Sequence, residues 1–398
     1  MSSETDTGVA DVPSAETETE IETETDTGVG AVPGAPRRQR VVVLFGGRSS
    51  EHSISCATAG GVLAAIDRDR FDVVPVGITA DGAFTLQPDD AALFALDAES
   101  LPVVRDNGTR VRWPESSTSR ELSVVEADGS VRLLGEVDVV FPILHGRFGE
   151  DGTVQGLLEL VGLPYVGAGL LASAVGMDKH FTKTVLQQAG IAVAPWRTVR
   201  AAEWQADPEA VATAVAELGY PLFVKPARAG SSVGVSRVDG PDELAAAMAV
   251  GLAEDVKVLV EAGLVGRELE CAVLGGRAGG APRTSVAGEI VLGSDTFYDF
   301  ESKYLGGAGA DLVCPAPLAD DELAEMQRLA ALAFESIDGT GLARVDFFLT
   351  AEGWVVNEIN TMPGFTPISM FPACWLASGL SYPELITELV ELGLETDR

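Results

Sequence analysis

The run VVVLFGG (41–47) is continuously apolar and ends in two glycines, so it reads as a buried strand running into a Gly-Gly turn. SSEHSISCATAGGVLAAI (49–66) follows, opening on helix-start residues and continuing with helical apolar spacing. FDVVPVGIT (71–79) and VDVVFPILHG (137–146) are further strands. Strands alternating with helices predict an open parallel sheet whose loops at the strands' C-terminal ends hold ligands. Residues 81–137 are irregular and polar, which suits hairpins or an excursion at the edge of this first domain.

The chain then becomes helical over 169–190. YPLFVKPARAGSSVGVSRV (220–238) reads as strand, glycine-rich loop, strand. A helix at 242–252 and the strand KVLVEAGL (257–264) complete a small α+β unit. The last third mixes the strands ELECAVLG, SVAGEIVL, ARVDFFL and WVVNEIN with helices at 320–338 and 382–393.

Composition limits the function. At 398 residues and 46% hydrophobic content the chain has enough apolar material for several packed domains. No run approaches the roughly 18–20 apolar residues of a membrane span, and the start lacks the cationic, apolar character of a signal peptide. A net charge of −33 disfavours a partner held through phosphate contacts along a nucleic acid. The four cysteines are scattered without metal or disulfide spacing, as expected of buried thiols in a reducing cytoplasm. Residues 1–36 contain nine acidic and no basic groups, and almost nothing to bury, so positions 1–37 are expected to form a disordered acidic tail. Only five lysines accompany 22 arginines, and three of them, Lys179, Lys225 and Lys303, fall in stretches that look chemical.

Those stretches are specific. In GWVVNEINTMPG, alternation sends Glu358 and Asn360 to one face of a strand and Asn357 and Ile359 to the other. ARVDFFL does the same with Arg344 and Asp346. Two carboxylates and an amide are hard oxygen donors that suit magnesium between protein and nucleotide phosphates; alternatively they form an acidic strand edge facing solvent. Arg344 is then either part of the chemistry or the carboxylates' ion-pair partner. KPARAGSSVGV (225–235) is either a phosphate cradle headed by Lys225 or an ordinary hairpin turn. EAGLVGRELE (261–270) is either an interdomain hinge that reads adenine, with Glu268 on the ribose hydroxyls, or a strand–turn–strand with exposed acids.

Seven segments occur in order over residues 41–375: GGRSSEHSIS, LHGRFGEDGTVQGLLELVGLPYVG, MDKHFTK, KPARAGSSVGVS, YDFESKYL, ARVDFFL and NEINTMPGFTPISMFP. Together they resemble the D-alanine–D-alanine ligases of the ATP-grasp superfamily. The resemblance implies a three-domain ATP-grasp fold of α/β and α+β class, with an N-terminal open parallel-sheet domain at 38–167 and two ATP-gripping subdomains at 168–264 and 265–398. It implies a cytoplasmic homodimer whose substrates are D-alanine and ATP, with two magnesium (or manganese) ions.

Residue by residue, the resemblance assigns Lys179, Lys225 and Lys303 to the phosphates, and Glu261, Leu264 and Glu268 to adenine and ribose. Asp346, Glu358 and Asn360 become the metal ligands, with Glu358 bridging. Glu51 takes the ammonium of the first D-alanine within a hydrogen-bonded set with Ser231 and Tyr304. Arg344 and the Gly364 amide stabilise an oxyanion, and Ser369 and Met370 meet the second amino acid. The glycine-rich YLGGAGADL (304–312) is expected to act as a lid. Gly263 departs from relatives that carry a bulky residue at this hinge position, and Ala229 departs from some of them in the phosphate loop. The rival readings are a ligase making D-alanyl-D-lactate or D-alanyl-D-serine, another carboxylate–amine ligase, and a nucleotide-binding sensor without catalysis.

Overall fold

The apolar run at 41–45 lies in β1 (Gln39–Gly46), and each of those five side chains is fully buried. The computed structural model describes residues 37–95, 101–292 and 310–395, of which 38–395 lie in one compact unit. β1 pairs in parallel with β2 (Phe71–Ile78) and, farther along the chain, with a strand that follows the 81–137 excursion. The excursion holds β3 (Phe84–Leu86), antiparallel to β2, and then β4 (Arg110–Arg112), β5 (Glu121–Val125) and β6 (Val131–Glu136). These last three make a separate antiparallel sheet. Val111, Leu122 and Val124 pack into one cluster with Val42, Leu44 and Val76, so the excursion covers a face of the first sheet. β7 (Val139–Ile143) completes that sheet in the order β3-β2-β1-β7.

The helical stretch after residue 169 is two helices, Leu170–Met177 and Lys179–Gln188. Asp178 separates them because its backbone is extended and its carboxylate accepts the His180 N–H at 3.2 Å, an N-cap that starts a new helix. The carboxylate also takes the buried Lys257 ammonium. β8 (Trp196–Arg200), β9 (Leu222–Pro226), β10 (Ser236–Val238) and β11 (Lys257–Ala262) form an antiparallel sheet in the order β10-β9-β11-β8. Leu244–Glu254 is its helix.

β12 (Gly266–Leu274), β13 (Arg283–Leu292), β14 (Ala310–Val313), β15 (Leu342–Thr350) and β16 (Gly353–Asn360) form the third large sheet, antiparallel throughout, in the order β14-β13-β12-β15-β16. The helix Asp320–Ser336 opens with Asp320, Asp321 and Glu322, charges that suit the positive end of its dipole. It packs Met326, Ala330 and Phe334 against this sheet. The last helix, Tyr382–Glu395, returns to the start of the fold. Its Leu385, Ile386, Leu389 and Val390 share a core with Val41, Val43, Phe45 and Phe141.

The cysteines are free, but they are less scattered in space than in sequence. The sulfurs of Cys314 and Cys374 approach to 3.7 Å. The pairing joins residues 60 positions apart, which no sequence spacing announces.

Candidate active site

β15 and β16 face each other with Arg344 opposite Asn360 and Asp346 opposite Glu358, after which the register slips so that Phe347 meets Val356. Asn357 is therefore the extra residue of a β-bulge, which bends a strand and re-aims its side chains. Simple alternation expects Asn357 to turn away from Glu358 and Asn360. Instead it lines the same cavity, its Oδ1 3.4 Å from the Lys225 ammonium. The slip also lets Val356 and Ile359, three residues apart, both enter one core cluster.

The cavity has a volume of about 950 Å³ and gathers every described candidate. Glu51, Ser231, Arg344 and Gly364 line it, as do Lys179, Lys225, Glu261, Leu264 and Glu268. Asp346, Glu358, Asn360, Ser369 and Met370 line it too. Lys303, Tyr304 and most of the expected lid lie outside the described residues, as does the acidic tail.

Arg344 donates from Nε and Nη2 to the two oxygens of Asp346, at 2.7 and 2.8 Å, and its Nε lies 3.0 Å from Glu270 Oε2. Burial works against a charged guanidinium, but Asp346 and Glu270 outweigh it and raise the Arg344 pKa well above that of an ordinary arginine. Asn360 Nδ2 donates to Asp346 Oδ2 at 2.9 Å, which leaves its amide oxygen available as a donor atom. Arg344 is thus the carboxylates' ion-pair partner, and it lines the cavity as well.

The lysines approach from the helix Lys179–Gln188 and from β9 of the central sheet. Lys179 donates to the Ala229 carbonyl at 2.9 Å and lies 3.6 Å from Glu358. Lys225, near the end of β9, contacts Glu261 at 2.8 Å. On the other oxygen of Glu261 sits Lys183, at 3.4 Å and with a geometry short of a hydrogen bond. Burial would raise the Glu261 pKa, but the two ammonium groups win and lower it. Lys225 is raised because Glu261 outweighs its burial, whereas Lys183 is lowered because burial dominates. The Glu261 carboxylate is thus paired with two lysines, which leaves its backbone at the hinge end of β11. Lys183 was not among the candidates, although the argument from scarce lysines applies to it equally.

Glu51 sits at the start of the helix His52–Ala65, buried, and accepts a hydrogen bond from Ser231 Oγ. Ser231 and Ser232 adopt the left-handed conformation at φ 49° and 58°, as residues of a tight anion-binding loop do. φ at Gly146 is +70°, which favours glycine, and a Cβ there would displace the Glu51 carboxylate, whose Oε2 would stand at 2.6 Å. At the hinge, a Cβ on Gly263 would come 2.8 Å from the Pro221 carbonyl, which accounts for the missing bulky residue. Glu150, also missed, lines the cavity and accepts from the Gly146 N–H at 2.7 Å and the Met362 N–H at 3.0 Å. Burial, then the charge of Glu51, push its carboxyl up to about 8.

Residues 40–168 match the protein family described as "D-ala D-ala ligase N-terminus", and residues 185–391 match "D-ala D-ala ligase C-terminus". The chain is 54% identical over 360 residues to the D-alanine–D-alanine ligase of Arthrobacter sp. (strain FB24), covering 90% of this chain and 94% of that one. To the D-alanine–D-alanine ligase of Streptomyces coelicolor it is 51% identical over 367 residues, covering 89% and 93%. Among solved structures, the VanG D-Ala:D-Ser ligase from Enterococcus faecalis superposes with a TM-score of 0.77 at 33% identity, covering 90% of this chain and all of that one. The D-alanine–D-alanine ligase from Coxiella burnetii gives 0.75 at 34%, covering 90% and 94%.

Proposed function

Since the chain belongs to the D-alanine–D-alanine ligase family, we propose how the residues of its cavity carry out that family's reaction, the ATP-dependent joining of two D-alanines. The observation that carries the proposal is the convergence of three kinds of group on one cavity: phosphate-type lysines, paired oxygen donors and the Glu51–Ser231 pair.

Lys179 and Lys225 neutralise phosphate oxygens of ATP, held in place by Glu358, Ala229 and Glu261. Lys303 joins them by resemblance. Backbone groups near Leu264 receive adenine and Glu268 the ribose. Asp346, Glu358 and Asn360 fit magnesium by the chemistry of the set: two carboxylates and an amide oxygen from adjacent strands, all hard donors. Bound there, the ions would neutralise charge on the transferring phosphoryl group.

Glu51 holds the ammonium of the first D-alanine, whose carboxylate attacks the γ-phosphorus to give D-alanyl phosphate and ADP. The amine of the second D-alanine then attacks the acyl carbon, loses a proton and expels phosphate. Arg344 and the Gly364 N–H face the oxyanion of that step. Ser369, at the start of the helix Met370–Ala377, meets the second substrate together with Met370. The division into 38–167, 168–264 and 265–398 belongs to the same proposal and is supported by each large sheet falling within one segment. So do a homodimer, by resemblance, and a cytoplasmic location, supported by the free thiols.

Offered Mg-ATP with D-alanine, L-alanine, D-serine or D-lactate, the protein should release phosphate and form dipeptide with D-alanine. Dipeptide from L-alanine alone would overturn the assignment. Tyr304, by resemblance, completes the set with Glu51 and Ser231, an acidic environment that favours an incoming ammonium over D-lactate. Tyr304→Phe should therefore keep ATP affinity but lose the preference for D-alanine, with depsipeptide appearing mainly at lower pH, where the competing amine is more protonated. Product analysis with both substrates between about pH 6 and 9 checks this. An unmutated protein that makes mostly D-alanyl-D-lactate at neutral pH would remove the role given to Tyr304.

A further inference from the structure

We propose that His145 and Glu150 are positioning residues for peptide-bond formation, acting through Met362 and Pro363 on the Gly364 amide. Both come from the tight loop after β7, and both reach across to the loop after β16. Glu150 Oε1 accepts the Met362 N–H at 3.0 Å, while the Met362 carbonyl lies 3.1 Å from His145 Nδ1. A carbonyl only accepts, so Nδ1 carries the proton, and Nε2 faces the Thr58 hydroxyl at 3.4 Å as the acceptor. Burial holds this imidazole neutral, in keeping with one N–H and one lone pair. The other oxygen of Glu150 is tied to its own loop by the Gly146 N–H at 2.7 Å. Both backbone polar groups of Met362 are thereby fixed by two side chains of one loop.

The next residue transmits the constraint. Pro363 has φ locked by its ring and no N–H of its own, and its peptide bonds are planar. Once Met362 is held, ψ of Pro363 is the one soft torsion left between it and the plane that carries the Gly364 N–H. The direction of the oxyanion donor is therefore set by His145 and Glu150, neither of which needs to touch the reacting atoms.

This rests on the reaction proposed above, and its consequence differs between the two steps. The Gly364 donor faces the oxyanion formed when the second amine attacks, whereas phosphoryl transfer relies on lysines and on the oxygen donors of β15 and β16. A misaligned donor should slow aminolysis more than acyl-phosphate formation. The accumulating D-alanyl phosphate then reacts with water, returning D-alanine and phosphate, so ATP is consumed without peptide.

The test uses the full chain with Mg-ATP and D-alanine, measuring ADP and dipeptide together. The unmutated protein should form one ADP per dipeptide. Glu150→Gln places an NH₂ group against one of the two N–H donors, and dipeptide formation should fall about tenfold to a hundredfold. The Michaelis constant for ATP should stay within about twofold, ADP should exceed dipeptide, and hydroxylamine should trap the excess as D-alanyl hydroxamate. Pro363→Ala frees the connecting residue while leaving Glu150 in place, and should show the same excess even if Glu150→Gln folds poorly. If ADP and dipeptide fall in step in both variants, the pair is merely structural and the inference fails. Failure of the unmutated protein to make dipeptide would instead overturn the reaction itself.

Discussion

Glu358→Gln is expected to abolish turnover while the protein remains folded. The substitution keeps size and shape but removes one negative charge from the set proposed above to hold magnesium at the phosphates. Glu358 is partly exposed, and its contact with Lys179 is long, at 3.6 Å, so the pair contributes about 0–1 kcal/mol to stability. Thermal unfolding should therefore shift by no more than a few degrees. Activity should fall by at least the factor of about 10²–10³ that follows loss of one preorganised electrostatic contact. Manganese affinity, followed by electron paramagnetic resonance without substrate, should weaken in parallel. A variant with more than about a tenth of the original rate would show that Glu358 has no bridging role.

Arg344→Met should damage both stability and catalysis, and the two effects can be separated. Glu270 is buried with the guanidinium at 3.0 Å, and Asp346 is held by it in a two-point contact. Removing the cation from such a pair costs about 3–5 kcal/mol, because the desolvated carboxylate stays behind. Adding Glu270→Gln should recover much of the lost stability by removing that stranded charge. It should recover no activity, since the positive charge proposed to face the oxyanion is still missing. Denaturation midpoints and dipeptide rates on the unmutated protein, the single variants and the double variant give the comparison. Recovery of activity in the double variant would mean that Arg344 serves only to neutralise Glu270.

Much of the site could be read from the chain because its chemistry sits in short segments with local rules. Asp346 and Arg344 share a strand face, Glu358 and Asn360 share another, and Lys225 ends a strand before a run of small residues. The sheets were legible for a similar reason, since apolar runs bounded by glycines report strands directly. Asn357 was misplaced because a bulge is imposed by the opposing strand, and alternation within one segment cannot show it. Glu150 looks like one acid of a polar turn; the role proposed for it rests on a contact with Met362, 212 positions away. Glu270 is hidden in the same manner, since it lies in a strand-like run and its pairing with Arg344 shows only in space, whereas Lys183 had a signal in the scarcity of lysines. The stretch after residue 169 is helical as its sequence indicates, and the break into two helices comes from Asp178, whose cap interrupts the run.

The return of the last helix to the first sheet bears on how the protein is made. The helix His52–Ala65 covers part of the apolar side of β1 and β7 through Cys56, Ala59, Val62 and Leu63, but the part that meets Leu385, Ile386, Leu389 and Val390 stays open until Tyr382–Glu395 has been translated. Roughly 240 residues separate Ile143 from Tyr382, and at about 5–20 residues per second the ribosome needs about 10–50 s to supply them. Through that interval the nascent chain carries an open hydrophobic surface, a ready target for chaperones and for aggregation. A transcript cut short just before residue 382 would leave a product with all four described sheets encoded and its first core unfinished.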